Sequence, residues 1–188
     1  MSINSLICTN GYQYGKLVAV SERKPHNKRG HVMAYSAAAV ANAFIEKANK
    51  GELSELTPMK LQKLLFYTQS WHLKLCNGRP LFDDLFARWK FGPVIPPLYH
   101  MLKKYGSGEI QEPISIIIDS NGEWKRITPT IQKDDADAMK LIDKIIEVYG
   151  GYSGTALSNM THAPGSAWSR GAVDGGPITH TDMAEHIH

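Results

Sequence analysis

Apolar residues recur at helical spacing in several separate stretches of the chain. The first of these predicts a helix that begins after Ser36, a good N-cap residue, and ends at Gly51. The second has Thr57 at the N-cap and Pro58 at the first helical position, and it continues to residue 76. Because this second helix carries apolar residues on two opposite faces, we expect it at the centre of the core.

The second half of the chain contains further helix signals. Asp134 or Asp135 begins a helix with an inward apolar stripe that ends at Gly150. Ser153 is placed to cap a short helix directly afterwards, and Thr179 to cap a last helical turn or two. Most of the ordered chain is therefore expected to be helical.

Two stretches depart from the helical pattern. Three prolines within residues 93–97 exclude a continuous helix there, so the segment before them is interpreted as extended and residues 98–105 as a short helix. Asn121-Gly122 is the dipeptide that best suits a type I′ turn, and alternation on both sides of it predicts a β-hairpin. Its run of three isoleucines, residues 116–118, needs cover. The sequence thus predicts a mainly α fold with a small β-hairpin (α+β).

Charge divides the chain of 188 residues into two unequal parts. The formal net charge is +3, but residues 1–33 hold five basic groups and one acid, a net of +4. Residues 34–188 hold 16 bases and 17 acids, a net of −1. We therefore expect one compact helical domain at 34–188, preceded by a basic N-terminal extension that is either a flexible arm or an over-extended start before Met33. Nucleic acid is not an expected partner of residues 34–188.

Cysteine content and hydropathy bear on the compartment. Two cysteines are too few for a disulfide framework. No apolar run approaches the roughly 20 residues of a membrane helix, and the N-terminus lacks a continuous apolar stretch followed by a small-residue cleavage site. The expected protein is cytoplasmic and has no membrane partner.

A search for catalytic or metal-ligating patterns gives little. No GxSxG motif is present, and the histidines lack the spacing of a zinc site. Cys76 follows His72 by four residues on one helix face, which suits a reactive thiol or half of a metal site. A small buried thiol beside a hydrogen-bonded histidine is the better interpretation, because free cysteines are often part of the core. The glycines of residues 150–154 precede a helix and could hold an anion, although a C-cap followed by an N-cap explains them as well. We expect no enzyme, no cofactor and no metal.

The most distinctive segment, residues 88–99, combines aromatic residues with prolines. A proline-stiffened segment loses little entropy on meeting a partner, and Trp, Tyr and Arg often carry interface energy. A second aromatic loop, residues 161–168, has a similar composition. Whether Trp89 and Tyr99 contact a partner or only fill the core beneath a loop stays open at this point. The candidate partner-binding residues are Trp89, Phe91, Gly92, Pro93, Pro96, Tyr99, His162 and Trp168.

These segments also carry a family resemblance. The chain contains LTPMKLQKLLFYTQSWHL, then GRPLFDDLFARWKFGPVIPPLYHMLKKYG, then VYGGYSGTALSNMTHAPGSAW. From about Tyr35 to the C-terminus it resembles the Panacea domain of SocA-like antitoxins, also described as GepA-like phage-associated proteins. The resemblance implies a mostly helical, non-enzymatic domain, encoded in bacteria or prophages, that neutralises a cognate toxin from a neighbouring gene by direct binding.

Three alternatives to simple neutralisation remain at this stage. The resemblance implies an adaptor role as one of them, because some relatives are thought to present the toxin to a protease. The basic extension suits a DNA-binding regulator. A small enzyme would have to use Cys76 with His72, or the loop that contains His162. One departure from the family pattern is Ala167, which stands where the loop commonly has proline, so we expect a looser turn there.

Overall fold

The structure is a computed structural model that describes residues 34–187. Within this range the helices are α1 (Ala37–Asn49), α2 (Pro58–Leu75), α3 (Pro96–Leu102), α4 (Ala136–Tyr149), α5 (Gly154–Thr161) and α6 (His180–Glu185). The strands are β1 (Phe86–Trp89), β2 (Gly92–Val94), β3 (Ile116–Ser120), β4 (Glu123–Ile127) and β5 (Pro177–Ile178). The predicted α+β class, mainly helical, is confirmed. None of these helices has the length and hydropathy needed to cross a membrane.

The predicted helix starts are observed because each rests on a local hydrogen bond. In five helices the N-cap side chain accepts the backbone N–H three residues on: Ser36 for α1, Thr57 for α2, Asp135 for α4, Ser153 for α5 and Thr179 for α6. Helix α3 begins at Pro96, two residues before the predicted start. Prolines fit the first turn of a helix, where their missing N–H leaves no bond unmade.

Helix α2 lies at the centre of the molecule, as its two apolar faces predicted. It packs against α1, α4, α5 and α6, and fifteen of its eighteen residues are buried. The Tyr67 ring stacks on Tyr149 of α4 at a centroid distance of 4.2 Å. Trp71 Nε1 donates a hydrogen bond to the Tyr149 hydroxyl at 3.1 Å. Helix α2 is therefore the frame on which the other elements are placed.

The predicted hairpin is the β3–β4 pair. Asn121 and Gly122 both have positive φ, as a type I′ turn requires, and Ser120 pairs with Glu123 beside them. The expectation that the isoleucine run is covered is only half met. Alternation turns the side chains at 116 and 118 toward the domain, where they are half-buried, whereas Ile117 is 64 % exposed.

A second sheet, with strand order β2-β1-β5, was not predicted. Strands β1 and β2 form a hairpin in the segment interpreted as merely extended, with Trp89 opposite Gly92 across a two-residue turn. The turn residues Lys90 and Phe91 lack the Asn-Gly signal, and β5 has only two residues. Neither feature leaves a periodic pattern in the sequence.

Candidate partner-binding cleft

An apolar cleft of about 670 Å³ opens beside the β1–β2 hairpin. It lies between the first turns of α2, the hairpin, the start of α3 and a loop at residues 173–175. Phe91 is 62 % exposed at the tip of the hairpin. Exposed apolar side chains around a concave surface are typical of binding sites. The apolar lining consists of Pro58, Met59, Trp89, Phe91, Val94, Tyr99 and Val173.

Two of the candidate aromatic residues belong both to the packing of the hairpin and to the cleft. Trp89 and Tyr99 are half-buried, their rings meet edge to face at 4.9 Å, and both line the cleft. Each ring therefore supports the other and leaves part of its surface open. The two interpretations that the sequence left open, core packing and accessible surface, describe the same rings.

The tip of the hairpin is held through its backbone. The carbonyl oxygens of residues 89–91 each face a side chain of α5 or of the segment after it. Trp168 Nε1 donates a hydrogen bond to the carbonyl of residue 89 at 3.1 Å, and Ser158 Oγ donates one to the carbonyl of residue 91 at 2.8 Å. His162 Nε2 lies 3.1 Å from the carbonyl oxygen of residue 90. The rings of His162 and Trp168 also contact each other, with centroids 3.9 Å apart. The structure thus places these two candidate residues behind the hairpin as its support. We call the three side chains the carbonyl clamp.

Gly92 and Pro93 lie at the back of the hairpin, where both are buried. Gly92 has φ +92°, and a Cβ there would lie 2.6 Å from Thr161 Oγ1 and 2.9 Å from Lys63 Cε. The Pro93 carbonyl accepts a hydrogen bond from Lys63 Nζ at 3.0 Å. Pro96, at the start of α3, is half-buried. None of these three candidate residues is among those that line the cleft.

Lys63 is a residue of the cleft that the sequence analysis missed. It is 1 % exposed and still lines the cleft from α2. Burial lowers the pKa of its ammonium to about 7, because the charged form loses its hydration. The signal was a lysine in a helix that is apolar on two faces, since such a helix offers little access to water for a side chain.

Arg88 anchors the wall of the cleft formed by the C-terminal segment. Its guanidinium donates to the carbonyl oxygens of Pro177, Ala167 and Trp168 at 2.6, 3.2 and 3.3 Å. The Asp182 carboxylate lies 3.6 Å away. The planar fork of five donors explains why one arginine can hold three carbonyl groups. The bond from Arg88 to the Ala167 carbonyl counters the looseness that we expected for the loop at this residue.

The chemistry considered for Cys76 and His72 finds little support in the geometry. Cys76 Sγ lies 3.5 Å from His72 Nε2, and His72 Nδ1 lies 2.9 Å from the carbonyl of Arg79. Cys76 is not a free thiol in this structure. Burial lowers the pKa of His72 to about 4, so its ring is neutral at neutral pH. Within residues 34–187 no three metal-ligating side chains cluster.

Fold and cleft together define a class, a mainly helical α+β domain with an apolar, aromatic-lined groove. The chain belongs to the family described as antitoxin SocA-like, Panacea domain, whose model matches residues 61–169. This range includes the β1–β2 hairpin and the carbonyl clamp. The chain is 28 % identical to Antitoxin SocA of Caulobacter vibrioides (strain NA1000 / CB15N) over 164 residues, which cover 80 % of this chain and 77 % of that protein. No solved structure matches. The family resemblance is confirmed, and it supports an antitoxin role.

Proposed function

We propose that this protein is the antitoxin of a bacterial or prophage toxin–antitoxin system and neutralises a cognate toxin by direct protein–protein binding. The toxin is the product of a neighbouring gene, and the bound toxin is occluded rather than chemically altered. The family membership supports the general role. The observation that supports binding is the apolar cleft, with Phe91 exposed at its rim.

The physical case for the cleft rests on desolvation and pre-organisation. Removing apolar surface from water favours association, at about 25 cal/mol per Å² of surface buried. The carbonyl clamp holds the hairpin backbone in place before a partner arrives, so little conformational entropy remains to be lost on binding. A net charge of −1 over residues 34–188 is consistent with recognition by shape and apolar contact.

Replacing Phe91 with Ala tests this proposal. The chain is co-expressed with the product of the neighbouring gene, and growth, complex formation and toxin half-life are measured. We expect Phe91→Ala to lose neutralisation and to release the toxin from the complex, because the exposed ring is lost while the fold is kept. Trp124→Ala is the matched control, since Trp124 is 76 % exposed but lies on the β3–β4 hairpin, away from the cleft.

The outcomes separate the mechanisms. Full neutralisation by Phe91→Ala would exclude the cleft as the binding site. A neighbouring product that is harmless, and that forms no complex, would exclude the antitoxin role for this chain. A toxin whose half-life falls sharply in the presence of the wild-type chain would favour delivery to a protease over occlusion.

A further inference from the structure

We propose that the cleft contains a carboxylate-binding subsite at Lys63, so that the toxin segment that enters the cleft carries a carboxylate beside an apolar side chain. This inference rests on the proposed function, because it specifies the chemistry of the partner segment. It follows from one buried ammonium group and from the surface around it.

The Lys63 ammonium makes fewer hydrogen bonds than it has N–H donors. An ammonium group has three N–H donors, and the interaction found for this one within residues 34–187 is the bond to the Pro93 carbonyl at 3.0 Å. No carboxylate of the described chain forms an ion pair with it. A buried charge without a counter-charge is costly, so the protein keeps at this position a group that is incompletely satisfied.

The Lys63 side chain has room beside the hairpin because residue 92 is glycine. A Cβ on Gly92 would lie 2.9 Å from Lys63 Cε and 3.0 Å from Nζ, which would push the side chain from its place. Lys63 borders the cleft, and its Nζ lies next to the hairpin, 3.0 Å from the Pro93 carbonyl oxygen. An anionic group inside the cleft would therefore meet a cation at its inner wall.

The other charged groups of the cleft favour an anion. Arg88 is already bound to backbone carbonyls and Asp182, and Lys90 adds a positive charge at the exposed hairpin tip. Asp174 is the acid among the lining residues, and its Oδ1 accepts the Gly176 N–H at 2.8 Å. Among the lining residues there are thus three basic side chains, those of Lys63, Arg88 and Lys90, and one acidic side chain.

The shape of the lining narrows the anion to a carboxylate on an apolar stem. A phosphate or a nucleic-acid backbone would require several donors around one group, and the remaining wall is formed largely by apolar side chains. A carboxylate has two acceptor oxygens, which match the donors that Lys63 has left over. An aspartate, a glutamate or a chain terminus next to an apolar side chain satisfies both the ammonium and the walls.

Lys63→Met is the decisive variant because it keeps the length of the side chain and removes the charge. Lys60→Met is its matched control. Lys60 lies one turn earlier on α2 and is also 1 % exposed, but its Nζ donates to the Ser54 carbonyl at 2.7 Å and it does not line the cleft. Melting curves should show both variants folded, since each replaces a buried charge with an apolar group.

The first readout uses 4-phenylbutyrate and its neutral amide, 4-phenylbutyramide, titrated into the full chain and followed by NMR. Wild type and Lys60→Met should bind the acid about tenfold more tightly than the amide, as expected for a hydrogen bond to a charged group. Lys63→Met should lose this preference. Equal affinity for the two probes, no binding of either, or a preference that survives in Lys63→Met would overturn the subsite.

The second readout is neutralisation in the co-expression system. Lys63→Met should lose neutralisation and Lys60→Met should keep it. If Lys63→Met neutralises like wild type while Phe91→Ala does not, the carboxylate contact is wrong and the proposed function stands. If wild type itself fails to neutralise, the proposed function and the toxin contact fail, and the two small-molecule probes alone decide whether the subsite exists.

Discussion

Residue 92 has no room for a side chain, because the side chains of Thr161 and Lys63 fill the space where a Cβ would lie. Thr161 Oγ1 is fixed by its own bond to the Ser158 carbonyl at 2.6 Å, so it cannot move aside easily. We predict that Gly92→Ala destabilises the fold by about 3 kcal/mol or more, through positive φ and steric conflict together. Thermal or urea denaturation measures the loss.

Gly122→Ala is the control for this prediction. Gly122 also has positive φ, +84°, but nothing lies within 4 Å of its Cβ position. Its substitution should cost about 1 kcal/mol, the penalty of the left-handed conformation alone. If both variants lose the same stability, crowding at residue 92 is unimportant.

The buried lysine gives stability a pH dependence of known sign. Lys63 has a folded pKa of about 7 against 10.5 for a free side chain, so between these values the unfolded chain binds more protons. Stability therefore rises as the pH is raised from 7 to 10.5. We predict that Lys63→Met is more stable than wild type by on the order of 4 kcal/mol at neutral pH. This advantage should shrink toward pH 10.

Urea denaturation of both proteins at several pH values tests that prediction. The difference between the two curves isolates residue 63 from the other groups that titrate in the same range. Lys60→Met is again the comparison, because its pKa is also lowered by burial. A stability difference between Lys63→Met and wild type that is constant from pH 6 to pH 10 would contradict the assignment.

Elements differ in how far their own sequence determines them. The helix caps at Ser36, Thr57 and Asp135 were predictable because cap and bonded N–H lie within four residues of each other. The β1–β2 hairpin was not, because its tip is fixed by α5 and by Trp168, about 70 to 80 residues away. Contacts at that separation leave no local pattern.

The contribution of one such long-range contact to stability can be measured at the carbonyl clamp. Trp168→Phe keeps the ring and removes the N–H that binds the Trp89 carbonyl. We expect a loss of about 1 kcal/mol in stability and faster amide hydrogen exchange in β1 and β2. Trp124→Phe, on the exposed β3–β4 hairpin, should change neither. Unaltered exchange in Trp168→Phe would mean that the ring, and not its N–H, supports the hairpin.

At the scale of the whole molecule, the boundary between the basic residues 1–33 and the rest of the chain suggests a truncated variant without that extension. We predict that a chain starting at Met33 folds and neutralises the toxin as the full chain does, because residues 34–188 include every residue of the cleft. Circular dichroism and the co-expression assay measure this. The basic extension lies outside the described residues, and salt-dependent DNA binding that disappears with it would support the regulator alternative. Loss of neutralisation would show that residues 1–33 take part.

The cleft itself could be anticipated only in part. The sequence pointed to the aromatic and proline-rich segment, which supplies one wall. The other walls come from the start of α2 and from residues 173–175, more than a hundred residues apart. Only the assembled fold brings them together, and only the fold shows that Lys63 faces the space between them.

A hairpin that is held by its carbonyl oxygens has a consequence for how recognition can change. The clamp contacts the main-chain carbonyl oxygens of residues 89–91. Every residue type has the same carbonyl group, whatever its side chain. The exposed side chain at the tip, that of Phe91, is therefore exchangeable at little cost to the fold. Under the proposed function, a substitution at the tip would change which partner is recognised without a matching loss of stability in the scaffold.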